Sequence, residues 1–224
     1  MTSRGGPPSA AGRWSLLPER ISDATQRAHA VATRFLDRYG IVTRGAAGVE
    51  RIPGGFSGVY PVLKAMEESG RCRRGYFVEG LGGAQFALSG AVDRMRAMGG
   101  SDTAPATQVL AATDPANPYG GALPWPEADS SHRAGRKAGA LVVISGGRLV
   151  AFVERGGRRL LAFDRDEDAV RAAVDALVLS VRDGMVDSLD IHTVNGDPVG
   201  DGEWDEPLRG AGFHLSTRGL RLRA

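Results

Sequence analysis

The 224 residues contain one cysteine, Cys72, which excludes an internal disulfide and suits a reducing compartment. No apolar run is long enough to span a bilayer, and the opening "MTSRGGPPSAAGRW" lacks the apolar core of a signal peptide. A cytoplasmic protein with no membrane partner is therefore expected. The four histidines, His29, His132, His192 and His214, never fall at metal-ligand spacing with each other or with Cys72, so no metal site is expected. There is no GxxxxGK[ST] phosphate loop and no DExH-like acidic motif. Nothing here points to nucleotide hydrolysis by that route, and no cofactor is expected. A GxSxG nucleophile turn is also missing, which removes the usual serine-hydrolase reading.

Lysine is scarce as well: of 28 basic residues only Lys64 and Lys137 are lysines. The net charge of +2 conceals a division along the chain. Residues 1–100 hold 14 Arg/Lys against 8 Asp/Glu, residues 101–160 hold 7 against 5, and residues 161–224 hold 7 against 13. A basic front and an acidic back raise the prospect of a polyanion partner for the front half.

Four segments are expected: a flexible Gly/Pro/Ser-rich stretch over 1–12, a first domain over 13–100, a linker over 101–108, and a second domain over 109–224. In the first domain, Asp23 offers an N-cap, and Ala28, Val31, Ala32, Phe35, Leu36 and Tyr39 recur at helical spacing. Gly40 ends that helix. A short second helix is expected over 46–52 and a third over 56–69, separated by Pro53-Gly54-Gly55. Strands are expected over 75–78 and 85–88 around "EGLGG". Three helices followed by a hairpin is the order of a winged helix, whose third helix can enter a groove while the wing reaches phosphates. Arg44 lies between the first two helices, and Ser57, Tyr60 and Lys64 share the outer face of the third. Arg71, Arg73 and Arg74 fall where the wing begins. These positions are the expected nucleic-acid contacts, the arginines holding phosphates and Tyr60, Tyr76 or Tyr119 stacking on unpaired bases. The third helix is short of Asn, Gln and Arg, so little reading of base edges is expected.

A connecting helix is expected over 89–98. The second domain is expected to hold an antiparallel meander over 140–144, 149–154 and 159–163, punctuated by "SGGR" and "RGGR". An amphipathic helix over 166–182 follows, then strands in "LDIHTVNGDPV" and "FHLSTRGLRLR" around a short acidic helix near 203–209. The fold class is α+β: a winged helix, then a small antiparallel β-barrel-like domain with an α/β closing element.

Between the two halves lies "VLAATDPANPYGGALPWP", residues 109–126. Its prolines and glycines exclude a helix interior or a central strand. The stretch gathers an acid, an amide and two aromatics. If the stretch is a site, Asp114 would stabilise a developing positive charge or act as base, Asn117 would position, and Tyr119 or Trp125 would offer stacking surfaces. Gln85 on the wing strand could add a second amide. Alternatively the stretch is a rigid corner, with Asp114 bracing a turn and Trp125 packing against a sheet end. Arg133, Arg136 and Lys137 beyond it could extend a phosphate track.

Three segments carry a family resemblance: "FSGVYPVLKAMEESGRCRRGYFVEGLGGAQFALSGAVDRMRA", "VLAATDPANPYGGALPWP" and "RKAGALVVISGGRLVAFVERGGRRLL". Together with the ending "GFHLSTRGLRLRA" they resemble the C-terminal region of the Lhr-type (large helicase-related) DNA helicases, from about Gly12 onwards. In that family a helicase core precedes tandem winged helices and a terminal β-barrel, and the last portion is similar to the AlkZ/YcaQ-type DNA glycosylases. The resemblance implies a DNA-repair setting. The Gln-apolar-Gln or Gln-apolar-Asp triplet of those glycosylases does not carry over, because Gln85-Phe86-Ala87 lacks the second polar member. The expected function is a nucleic-acid-binding module of such a helicase, without its ATPase core. Its partners would be single-stranded or tailed duplex DNA and a helicase core in cis or in trans. The alternatives are a monofunctional DNA glycosylase using Asp114, and a protein-docking module.

Overall fold

A computed structural model describes residues 15–99, 106–200 and 202–223. The expected flexible stretch 1–12 and the linker residues 101–105 lie outside them. The first helix, α1 (Ala24–Tyr39), begins where the Asp23 carboxylate accepts the Gln26 N–H at 2.6 Å, satisfying one of the donors a helix start leaves unpaired. It ends at Gly40, whose φ of +66° suits a residue without Cβ. Its buried stripe is Ala32, Phe35 and Leu36.

Next come β1 (Ile41–Val42), α2 (Arg44–Val49), α3 (Gly55–Glu68), β2 (Arg73–Gly75) and β3 (Gln85–Ala87). Thr43 caps α2 by accepting the Ala46 N–H. Phe56, Val59, Leu63 and Met66 of α3 pack against α1 and Phe86 in one core. β1, β3 and β2 form a three-stranded antiparallel sheet in that order. Helices and sheet together are a winged helix, as the order of elements suggested.

The wing differs in register from expectation. β2 covers Arg73–Gly75 rather than 75–78, so both arginines lie within the strand. The cause is Gln85. Its Oε1 accepts the N–H groups of Phe77 and Val78 at 3.1 and 2.9 Å, and its Nε2 donates to the carbonyls of Val78 and Gly82, both at 2.8 Å. A side-chain amide thus takes the place of the next strand residue, and the backbone leaves the ladder after Gly75.

Helix α4 (Ser89–Gly99) leads away from the sheet. In the second half, β4 (Thr107–Ala111), β5 (Leu141–Ser145), β6 (Arg148–Val153) and β7 (Arg159–Ala162) form an antiparallel meander. Thr107 and Gln108, assigned from sequence to the linker, are paired in β4 because they face Ser145 and Ile144. Helix α5 (Glu167–Arg182), capped by Asp166, lays Val170, Ala173, Val174, Leu177, Val178 and Val181 on this sheet. Burying six such side chains, at roughly 1 to 2 kcal/mol each, is the main force joining helix to sheet.

The chain continues through β8 (Ser188–Ile191), β9 (Thr193–Val194), β10 (Asp197–Pro198), α6 (Asp205–Gly210), β11 (His214–Leu215) and β12 (Leu220–Arg223). β9 pairs in parallel with β7 and carries β10 at the edge, giving the six-stranded order β10-β9-β7-β6-β5-β4. β11, β12 and β8 make a separate three-stranded sheet. Among the described residues no pairing joins β4 to β10. No described helix is long and apolar enough to cross a membrane.

Candidate nucleic-acid interface

The winged helix and the meander meet across a cleft of about 1070 Å³, at the upper end of ordinary ligand pockets, which run to roughly 1,000 Å³. One wall is the end of α1 and the length of α2; the other is the loop from Thr113 to Leu123, with Arg136. The two walls approach closely at their base. A Cβ on Gly45 of α2 would stand 2.8 Å from the Gly121 carbonyl oxygen, so the close approach depends on a residue without a side chain.

The loop that forms the second wall is built from its own polar groups. Asn117 is 2% exposed. Its Nδ2 donates to the Ala112 carbonyl at 2.9 Å, and its Oδ1 accepts the Tyr119 N–H at 3.0 Å. Tyr119 is also buried. Its hydroxyl donates to the Gly147 carbonyl and accepts the Leu149 N–H. Its ring stacks on Trp125, which meets Phe152 edge-on. A Cβ on Gly120 would collide with the Trp125 indole, at 2.2 Å from Nε1. Arg136 lies across this loop and donates to the carbonyls of Asn117 (2.7 Å), Asp114 (2.8 Å), Tyr119 (3.2 Å) and Thr113 (3.3 Å). Asn117, Tyr119, Trp125 and Arg136, all expected from sequence to meet DNA or substrate, are engaged in holding the loop in shape.

Asp114 occupies the turn itself. It is half-buried, and its Oδ1 accepts the Ala116 N–H at 2.7 Å. Thr113, Pro115 and Ala116 line the cleft around it. Gln85 is fully buried, with its amide consumed by the wing backbone, so in this structure it offers no atom to a ligand. The wing arginines differ from one another. Arg74 donates to the Tyr60 hydroxyl and lies 3.5 Å from the Glu67 carboxylate. Arg71 approaches the His29 ring at 3.3 Å. Arg73 is exposed and makes no ion pair among the described residues. Tyr76 is 83% exposed on the wing, whereas Tyr60 is half-buried against Phe86. Arg44, Ser57 and Lys64 are exposed, the last paired with Glu68 at 3.6 Å. Arg133 and Lys137 are exposed too, Arg133 beside a smaller pocket that includes Trp125 and Phe163.

The cleft's other wall carries residues that the sequence reading missed. Glu50 follows α2 and accepts the Tyr39 hydroxyl at 2.7 Å and the Arg38 guanidinium. The Tyr39 hydrogen bond, followed by Arg38, holds its carboxyl below the usual carboxylate range, so it is ionised at neutral pH. Burial, and then the Glu50 contact, push the Tyr39 phenol up. Arg51 follows directly, exposed and lining the cleft. The only signal in the sequence was a charged pair just before Pro53-Gly54-Gly55. Its place in a cleft comes from packing against a loop more than sixty residues away.

Residues 21–107 match the winged-helix domain described for the large helicase-related protein. The chain is 50% identical, over 99% of its length, to a Mycolicibacterium smegmatis protein named "Lhr helicase/ probable uracil glycosylase". It is 43% identical, over 95% of its length, to an Escherichia coli protein named "Lhr helicase/uracil glycosylase". It spans only 15% and 14% of those relatives' lengths.

Proposed function

The chain belongs to the large helicase-related (Lhr) family, and from that membership we propose that it is the nucleic-acid-binding module of a DNA helicase in a repair setting. The ATPase core would be supplied by other sequence, in cis or in trans. The carrying observation is the placement of cationic side chains around the winged helix. Arg73 on the wing strand and Arg51 in the cleft both lack a carboxylate partner among the described residues. Two such guanidinium groups, on one basic domain, would hold phosphates of one bound strand and give affinity without sequence choice. Exposed Tyr76 would stack on an unpaired base of single-stranded or tailed duplex DNA. The test is binding of labelled single-stranded and tailed DNA by the purified chain. Arg73→Ala should weaken it and flatten its salt dependence, and unchanged affinity would remove the wing from the interface.

A second reading is favoured by the names of the two relatives, one of which includes "probable uracil glycosylase" and the other "uracil glycosylase". An extruded base would enter the cleft, and Asp114 at its rim would stabilise the cationic sugar. Uracil-containing DNA incubated with the chain and then treated with alkali should break at the uracil. Asp114→Asn should abolish the break while leaving binding intact. Activity retained by Asp114→Asn would reject Asp114.

A further inference from the structure

Three guanidinium groups line the cleft, those of Arg38, Arg51 and Arg136. Arg38 is neutralised by Glu50. Arg136 is engaged by four backbone carbonyls of the opposite wall. Arg51 alone of the three has neither an ion-pair nor a side-chain hydrogen-bond partner among the described residues.

The backbone of Arg51 makes its identity unusual. Its φ is +49°, and Asn195 is the only other described non-glycine residue with positive φ. Residue 51 directly follows the C-cap of α2, and its N–H donates to the Gly48 carbonyl. Glycine fills this place after a helix end at little cost, whereas an L-residue with a long side chain is strained there. Asn195 has a local reason for its conformation, because its amide pairs with both backbone groups of Ala162. Among the described residues no comparable contact explains an arginine at position 51. Strain of this kind points to a role for the side chain outside the fold.

We infer that Arg51 grips a phosphodiester of a nucleic-acid strand crossing the cleft, and that the left-handed backbone holds its guanidinium toward that strand. The inference rests on the nucleic-acid reading above and assigns the cleft's phosphate contact within it. The Arg38–Glu50 pair beside it is neutral as a unit, which leaves Arg51 as the uncompensated charge on that wall among the described residues.

The test compares the wild-type chain with Arg51→Gly, Arg51→Lys and Arg171→Ala. The probe is a fluorescein-labelled 20-mer of deoxythymidine, followed by anisotropy over a range of salt concentrations. Arg171 is an exposed cation on α5, near Asp168, and its removal controls for net charge. Arg51→Gly should leave the unfolding temperature unchanged or raised, because glycine relieves the backbone. It should weaken binding by roughly three- to tenfold and lower the salt slope by about 0.7, the loss of one single-strand phosphate contact. Arg51→Lys should restore the slope but not all of the affinity, and Arg171→Ala should match wild type. Arg51→Gly binding with wild-type affinity and slope overturns the assignment of Arg51 alone. Equal losses in Arg51→Gly and Arg171→Ala overturn it in favour of net charge. A wild-type chain that binds no DNA overturns the nucleic-acid reading itself.

Discussion

Replacing Arg136 with alanine should damage the protein through its stability before its affinity. The guanidinium joins four carbonyls of the 113–119 loop, two of them at 2.7 and 2.8 Å. A hydrogen bond to a charged group contributes about 1.5–3 kcal/mol. Taking the low end for the two short bonds, and nothing for the two longer ones, gives a loss of about 3 kcal/mol. The loss is not recovered by relaxation, because Asn117 and Tyr119 behind the loop are buried and restrict its movement. For a chain of this size that corresponds to a fall in unfolding temperature of about 6–12 °C. Lysine offers a compact ammonium in place of a planar fork, so Arg136→Lys should recover about half of the loss. Thermal unfolding followed by circular dichroism reads both values. Should Arg136→Ala unfold within about 2 °C of wild type yet lose DNA binding, the brace is wrong and Arg136 is a ligand contact.

Arg73→Ala should account for most of the DNA-binding loss of an Arg73→Ala, Arg74→Ala double variant, because Arg74 is already engaged by Tyr60 and Glu67; equal single effects would contradict that division. Glu50 has a folded-state pKa below its unfolded value, so it stabilises the winged helix above about pH 4.3 and loses that effect as pH falls through the folded value. Glu50→Gln should therefore lower the unfolding temperature near neutral pH and converge with wild type once the pH falls below the depressed folded value. A gap that stays constant with pH would rule out the ionised pair as its source. The Cys72 thiol is buried, and burial pushes its pKa up; it should resist alkylation by iodoacetamide at neutral pH in the folded chain and react after unfolding. Rapid labelling of the native protein would place it at a mobile surface.

Much of the fold was legible in local patterns. The periodicity of Phe35 and Leu36 placed α1, and that of Val170, Val174, Leu177 and Val181 placed α5, because an amphipathic helix carries its own signature. Glycine pairs marked the turns of the meander. The order of helices and strands, with the motifs that resemble the Lhr family, was enough to anticipate both the winged helix and the family. What was not legible was the use made of polar side chains. Gln85 reads equally well as a ligand-contacting amide or as a substitute strand, and only its four backbone partners decide between them. Asn117, Tyr119 and Arg136 suggested a site because polar and aromatic groups gathered in a loop are what sites need. Such a loop also needs them internally, since turns that leave the ladder must pair their backbone groups with something. Glu50 and Arg51 were missed for the opposite reason. Nothing in their neighbourhood marks a cleft that forms only when α2 meets the loop ending at Leu123.

The most direct test of the nucleic-acid reading is the salt dependence of DNA binding by the purified wild-type chain. Labelled single-stranded and tailed duplex DNA would be titrated between about 50 and 200 mM salt. Measurable affinity at the low end, falling with a log–log slope of about −1.4 or steeper, is predicted for one phosphate contact each from the wing and the cleft at roughly 0.7 apiece on a single strand. Absence of binding to either substrate at 50 mM salt, or binding indifferent to salt, would contradict it.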